Sequence, residues 1–374
     1  MNFDKQYLMG LGGSKHDYAV CLLQDGSVVV AIEEERVTGA KRGFGCDISN
    51  SRAIEYCLTT AGINLQQIAE VWANDLLEPE MYANLGNLPV FLPGHHLTHA
   101  ASAFYPSQFS EAAVLVADHS GGRFVDESSG ECVAETMSYY YAQNTHIDLL
   151  HRVCGGDENL IRVPWHTDLR GSRGIDTVKR PRNSLGRFYA RVANVCKCVS
   201  RMGDGKLHTE SGMLMGMAAF GDDRYYKELR QFVAIGPNGG LGVEMGGPDS
   251  GVEAFCNDVL SRHSDPESKQ AFRDRASLAY AAQKLLEESL IECARHLWQM
   301  TRCENLALAG GVFLNAIANH RILKETPFKR IFVQPAAHDA GTALGAAYLG
   351  WYRNKTSRTL PTRSPSPFLG RIYD

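Results

Sequence analysis

His95 and His99 stand four residues apart in Leu92-Pro-Gly-His-His-Leu-Thr-His-Ala-Ala-Ser-Ala-Phe-Tyr-Pro106. Pro93-Gly94 breaks whatever precedes, and Pro106 biases Tyr105 away from helical angles, which predicts a short helix from about Gly94 to Tyr105. On a helix, side chains at i and i+4 stack roughly 5–6 Å apart, so two imidazoles can grip one metal ion. The apolar stripe Leu97, Ala100, Ala101 and Phe104 is expected to face the core. His95, His99 and Ser102 then fall on the opposite side, in a cleft or in water. Two readings stay open: a metal pair whose third ligand comes from elsewhere, or two of thirteen histidines on a solvated face.

Four further segments place chemistry-bearing residues beside glycines. Tyr7–Met9 reads as a strand running into Gly10, Gly12 and Gly13, a loop that holds His16 and Asp17. Ala19–Leu23 and Val28–Ile32 follow as a hairpin turning at Gln24-Asp-Gly-Ser. Glycine lets backbone N–H groups wrap a phosphate, although the same glycines also suit a plain surface meander. Glu33-Glu-Glu-Arg36 ends the third strand in charge, ahead of Lys41 and Arg42. Ala112–Ala117 is a buried strand ending in Asp118-His-Ser-Gly-Gly122, with Met137–Ala142 as its hairpin partner. An acid at a buried strand end handles Mg²⁺ or phosphate, or only caps the next turn. Leu306–Ala309 runs into Gly310-Gly311, where a flat ring or ribose can lie against backbone, and Asn315 opens the next helix. Ile331–Gln334 leads to Asp339 at the start of a helix whose Gly341, Ala343, Gly345, Ala346 and Ala347 allow very close packing. As an N-cap, Asp339 also has a purely structural use.

Taken in order, these segments resemble a known family. The ordered motifs are the His-Asp glycine loop, Glu-Glu-Arg with a following Lys, His-His-Leu-Thr-His-Ala-Ala-Ser-Ala-Phe104, the strand ending in Asp118-x-x-Gly, Met215-Gly-x-Ala-x-x-Gly221, Gly310-Gly-Val-x-Leu-Asn315, and Pro335-x-x-x-Asp-x-Gly-x-Ala-x-Gly-Ala-Ala347. Together they look like the N-terminal domain of O-carbamoyltransferases of the nodulation-protein and antibiotic-tailoring type. That domain is similar to the tRNA threonylcarbamoyl-transfer protein. The resemblance runs from about Gly10 to Gly350. It implies the α/β fold of the actin, Hsp70 and sugar-kinase (ASKHA) superfamily, with two lobes built on mixed five-stranded sheets and a nucleotide in the cleft between them.

It also implies a site. The ligands of an Fe²⁺-type ion, or another divalent metal, would be His95, His99 and Asp339. Gly12, Gly13, Gly216, Gly310, Gly311 and Asn315 would hold the nucleotide, and His16, Lys41 and Asp118 would line the phosphate and acyl-transfer pocket. The family's chemistry uses ATP and carbamoyl phosphate, the ultimate donor, to make carbamoyladenylate, whose carbamoyl group passes to an acceptor hydroxyl. A cation beside the phosphate offsets charge developing on the leaving group. The acceptor hydroxyl needs a base, for which His16 and Asp118 are the candidates.

Departures from the family pattern cluster near the expected pocket. Met213 stands where a Lys is usual, and Asp118-His-Ser-Gly-Gly122 replaces Asp-Gly-x-Gly-Glu. Tyr18 puts bulk beside the glycine loop, and His338 replaces a small residue next to Asp339. Met213 and Gly122 therefore raise an alternative, a non-catalytic or altered-donor subunit that binds metal and nucleotide but leaves the chemistry to a partner. A tRNA-modifying role fits less well, because the net charge of −4 argues against general affinity for nucleic acid or an anionic membrane.

Composition and organisation complete the expectation. Among 374 residues, 44% are hydrophobic and 21% charged, as in an ordinary globular protein. There is no run of membrane-span length, and Met1-Asn-Phe-Asp-Lys-Gln does not read as a signal peptide. Ten scattered cysteines without a C-x-x-C pair fit reduced thiols, so the cytoplasm is expected. The first lobe is placed at residues 1–195, with an Arg-rich insert at about 155–191 (Arg162, Arg170, Arg173, Arg180, Arg182, Arg187), and the second at 196–353. The insert reads as a cleft cover, an anion-recognising segment or a solvated loop. Asp265-Pro266 is expected to cap a long helix to about Met300. Residues 354–374 read as an extended tail whose Ser366-Pro-Phe-Leu-Gly370 matches the family's junction to a second, YrdC-like domain that makes the adenylate. A separate YrdC-like subunit docking there is the expected partner, beside the small-molecule acceptor; homo-oligomerisation stays open.

Overall fold

The computed structural model describes residues 7–14, 16–43, 51–82, 85–125, 132–155, 157–164, 175–181, 183–201, 207–235, 241–243, 251–353 and 366–371. Two sheets repeat one plan. The first joins β1 (Tyr7–Gly12), β2 (Ala19–Gln24), β3 (Ser27–Glu33), β4 (Ile68–Trp72) and β5 (Val90–Phe91) in the order β3-β2-β1-β4-β5. β1 pairs antiparallel with β2 and parallel with β4. Asp25 and Gly26 both take positive φ at the β2–β3 turn, the backbone a two-residue hairpin needs.

The second sheet contains β6 (Glu111–Ala117), β7 (Arg123–Val125), β8 (Cys132–Gln143) and β9 (His146–Gly155). Three two-stranded pieces follow: β10 (Asp157–Pro164) with β11 (Ile175–Pro181), β12 (Val199–Arg201) with β13 (Leu207–Thr209), and β14 (Val233–Ile235) with β15 (Leu241–Val243). β16 (Asn305–Ala309) and β17 (Arg330–Val333) complete the second sheet as β17-β16-β6-β8-β7, with β9 also on β8. β6 repeats the role of β1, antiparallel to β8 and parallel to β16.

The helices are α1 (Glu34–Thr38), α2 (Arg52–Ala61), α3 (His95–Phe104), α4 (Leu185–Val195), α5 (Ser211–Ala218), α6 (Tyr226–Arg230), α7 (Gly251–Ser261), α8 (Lys269–Thr301), α9 (Ala316–Glu325) and α10 (Thr342–Tyr352). α3 and α10 form the middle layer. α3 follows the first sheet yet packs on β6 and β16, whereas α10 follows the second sheet yet packs on β1. Their small residues permit this: a side chain at Gly345 would strike the Thr98 carbonyl at 1.8 Å, and one at Gly12 the Ala343 nitrogen at 2.2 Å. The core of this layer joins Leu8 and Cys21 of the first sheet to Val114 and Ala307 of the second. α2 covers the outer face of the first sheet, while α4, α7 and α8 cover that of the second.

Several expectations change. The division at residue 195 cuts through the second sheet's segment, because β8 pairs with β6 and β6 with β16, none of them with the first sheet. Within the supposed insert, residues 157–164 and 175–181 form a hairpin and Leu185–Arg191 belongs to α4, where Arg187 is buried. Arg170, Arg173 and Arg182 lie outside the described residues. Ser268, not Asp265-Pro266, caps α8 by accepting from the Ala271 N–H. Tyr18 turns away from the loop into the core, its hydroxyl donating to the Met81 carbonyl. The tail is not free along its length: the Ala31 N–H of edge strand β3 donates to the Leu369 carbonyl, and the Arg371 N–H to the Tyr56 hydroxyl. Cys21, Cys57, Cys154, Cys196, Cys198, Cys256, Cys293 and Cys303 are free thiols. Among the described residues no helix is long and apolar enough to cross a membrane.

Candidate metal centre and nucleotide cleft

The packing of three elements explains why four side chains meet. The first turns of α3 and α10 approach each other in the middle layer, and β6 ends beside both. α3 carries His95 and His99, whose Nε2 atoms lie 3.1 Å apart. Asp118, just past β6, brings its Oδ2 to 3.3 Å from each of these nitrogens. Asp339 brings its Oδ1 to 3.6 Å from each. All four ligand atoms lie within 4.8 Å of one another, and all four residues are buried. α3 is therefore buried on nearly every side; the histidine face lies against carboxylates rather than water. Asp339 is not the helix cap either: the His338 Nδ1 accepts from the Ala340 N–H, which leaves the Asp339 carboxylate for the cluster.

The donor set fits a divalent first-row metal. Two nitrogens about 3 Å apart is the spacing that two bonds of about 2.1 Å to one ion produce at a right angle. Two imidazoles with carboxylates suit iron, zinc and their neighbours. Electrostatics make the same demand. Burial opposes a charge on His95, but the carboxylates of Asp339 and Asp118 outweigh it and push its pKa up to about 10. Burial likewise opposes ionisation of Asp118 and Asp339, yet the histidines hold both below the usual carboxylate range. Two buried anions thus require positive charge between them, which a proton or a metal ion supplies.

This cluster floors a cleft of about 1370 Å³ that both halves of the molecule line. At the mouth, the His16 Nδ1 lies 2.8 Å from Asp17 Oδ2 and 4.0 Å from Asp339 Oδ2. His338 stands between Asp17 (3.6 Å) and Glu33 (3.5 Å). Lys41 donates to Glu210 Oε1 at 2.7 Å, across from the turn after α1 to the residue before α5. Gly311 and Asn315 line the opposite wall.

The other glycines stand elsewhere. Gly12 packs against α10, and the Gly13 N–H donates to the Asp339 carbonyl and the Thr342 hydroxyl. Gly310, at φ +98, presses on the Ala117 carbonyl, so it sets the β16 turn rather than the cleft surface. Gly216 has open space around it and is not among the lining residues, and the half-exposed Met213 is likewise off the wall. Asn315 accepts from the Ala318 N–H and exchanges hydrogen bonds with Gln283, which anchors it as the cap of α9.

Sequence reasoning passed over three polar residues near the cluster, Asp75, Glu135 and Ser138, of which Glu135 and Ser138 are buried. The His95 N–H donates to Asp75 Oδ1, the His96 N–H to Glu135 Oε1, and the His96 ring meets the Ser138 hydroxyl at 2.7 Å. The available signal was Glu135, an acid within the strand β8, whereas Asp75 stands in the loop after β4 and carries no local mark.

The carbamoyltransferase N-terminus family matches residues 8–78 and 70–348 of the chain. The nodulation protein NolNO of Sinorhizobium fredii is 28% identical over 96% of this chain and 48% of its own length. NolO of Bradyrhizobium diazoefficiens is 30% identical over 68% of this chain and 37% of its own. The chain thus spans about half or less of these relatives. Full-length HypF, solved in a phosphate- and nucleotide-bound form, shares the fold at a TM-score of 0.56 and 13% identity, over 94% of this chain and 56% of HypF. That likeness extends the two-sheet, ASKHA-like architecture across nearly the whole chain. With its family motifs carried on that architecture, the chain belongs to the carbamoyltransferase N-terminus family.

Proposed function

We propose that this chain transfers a carbamoyl group from a carbamoyladenylate-type intermediate to a hydroxyl of a small-molecule acceptor. The observation that carries the reading is the buried His95–His99–Asp118–Asp339 cluster at the floor of a cleft large enough for a nucleotide and an acceptor together. A bound Fe²⁺ or similar divalent ion would hold the adenylate phosphate there and offset its charge. The open backbone at Gly311 gives the adenosine part a wall, since a side chain there would meet only Asp118 Oδ1, at 3.3 Å. The acceptor oxygen attacks the carbamoyl carbon, the carbon–oxygen bond to phosphate breaks, and AMP leaves. The hydroxyl proton falls to His16: Asp118 is engaged by both histidines, whereas Asp17 holds His16 Nδ1 and leaves its other nitrogen for the proton.

The alternative of a non-catalytic subunit loses one of its two supports, because the Met213 side chain stands off the cleft wall. Adenylate formation from ATP and carbamoyl phosphate is assigned to a YrdC-like unit that acts together with this chain. The test is incubation of the purified chain with ATP, carbamoyl phosphate and candidate acceptors, with and without such a unit. A mass gain of one carbamoyl group only when the unit is present is expected. Full carbamoylation by the single chain would refute the partner, and none under either condition would refute the transfer.

A further inference from the structure

α3 begins without a cap of its own. Gly94 precedes it, so no side chain at that position accepts from the first N–H groups of the helix. Two carboxylates from distant parts of the chain take that place. Asp75, in the loop after β4 of the first sheet, accepts from the His95 N–H at 2.8 Å. Glu135, on β8 of the second sheet, accepts from the His96 N–H at 3.3 Å.

Each acid is itself held. The Asp75 N–H donates to the Pro93 carbonyl, which ties the acid to the residues leading into α3. Glu135 is buried, accepts from the Gly122 N–H at 3.2 Å, and lies 2.9 Å from the Arg152 guanidinium. The two carboxylates converge over Gly122, where any side chain would meet Asp75 Oδ2 at 2.7 Å and Glu135 Oε1 at 3.3 Å. Negative charge is favoured at a helix N-terminus, and here it arrives from both halves of the molecule.

We propose that Asp75 and Glu135 are positioning residues of the metal centre: they cap α3 from the two sheets and so fix the aim of the His95 and His99 rings. The inference rests on the metal reading of the cluster. Groups that orient ligands without touching a metal commonly govern its affinity by about 10–100-fold. Neither ring has a partner on its Nδ1 among the described residues, so the orientation of these histidines comes from the helix that carries them.

The experiment compares Co²⁺ affinity, by chelator competition, and the visible d–d spectrum of the full chain with those of Asp75→Ala, Asp75→Asn, Glu135→Ala and Glu135→Gln. Amide exchange at residues 95 and 96 of the metal-free proteins is the second readout. Each Ala variant is expected to bind Co²⁺ about 10–100-fold more weakly with an altered spectrum, and to exchange those amides about tenfold faster or more. The Asn and Gln variants keep an acceptor oxygen and are expected to stay within about threefold of wild type in both readouts. They also show that the site tolerates substitution without loss of the fold. Ala variants with wild-type affinity, spectrum and exchange would overturn the positioning role, as would Asn and Gln variants no better than Ala. A wild-type chain that takes up no Co²⁺ overturns the metal reading itself.

Discussion

The floor and the mouth of the cleft both gather acids and histidines, yet they solve opposite problems. At the floor, His95 and His99 are fully buried and Asp118 and Asp339 nearly so. Burial leaves little solvent to disperse their charge, so the four groups depend on one another and on positive charge among them. At the mouth, the His16 side chain is 49% exposed and that of Lys41 55%. Each is already paired there, His16 with Asp17 and Lys41 with Glu210. Losing a floor group leaves a buried charge uncompensated, whereas losing a mouth group hands its partner to solvent. The floor should therefore govern whether the site exists, and the mouth how well it works.

The largest effect is expected where the floor depends on the seam of the two central helices. Gly345→Val would drive its side chain into the Thr98 carbonyl, next to His99 and about one turn from His95. A loss of about 3 kcal/mol or more is expected in urea unfolding, since backbone leaves little room to yield. A loss under about 1 kcal/mol would mean that the seam can open. Next comes the cluster itself. His99→Ala should reduce bound metal about 100-fold or more, beyond the range for groups that only orient ligands. Metal analysis of protein purified without chelator decides this, and equal content in both proteins would sink the metal assignment. Between floor and mouth stands Gly311. Gly311→Val should weaken ATP or adenylate-analogue binding at least about tenfold, by occupying the wall, with little change in the unfolding curve. Unchanged nucleotide affinity in titration calorimetry would put the adenosine elsewhere.

This contrast also marks what the sequence made legible. α3 was readable from Pro93-Gly94 and Pro106, and the β2–β3 hairpin from Asp25-Gly26, because proline and glycine restrict the backbone locally. The tight α10 was readable from its glycines and alanines. Asp118 was legible as an acid for Mg²⁺ or phosphate and for the acyl pocket, but not as a neighbour of His95 and His99; its place with them depends on β6 lying beside α3, which no local pattern encodes. The lobe boundary failed for a similar reason. β6 and β16 pair across about 190 residues, and a strand's own pattern does not name its partner. The burial of His95 was hidden because an amphipathic stripe assumes that one side of a helix meets solvent, whereas α3 is enclosed by the second sheet and α10.

The smallest effect is expected at the mouth, from Glu210→Gln. Burial opposes ionisation of Glu210, but hydrogen bonds from Lys41 and Ser200 outweigh it and hold its pKa below the usual 4.5. A carboxylate with a lowered folded-state pKa stabilises the protein above its unfolded value, and that stabilisation fades as pH falls through the folded value. Glu210 thus contributes fully above about pH 4.5 and progressively less below it. Because Lys41 is more than half exposed, solvent screening limits the contribution to at most about 1 kcal/mol. Urea unfolding of wild type and Glu210→Gln at a series of pH values should show curves separated by that amount near neutrality and converging below pH 4.5. A separation of several kcal/mol at neutral pH, or one that widens in acid, would mean that this rim pair behaves like the floor and would break the distinction between the two regions.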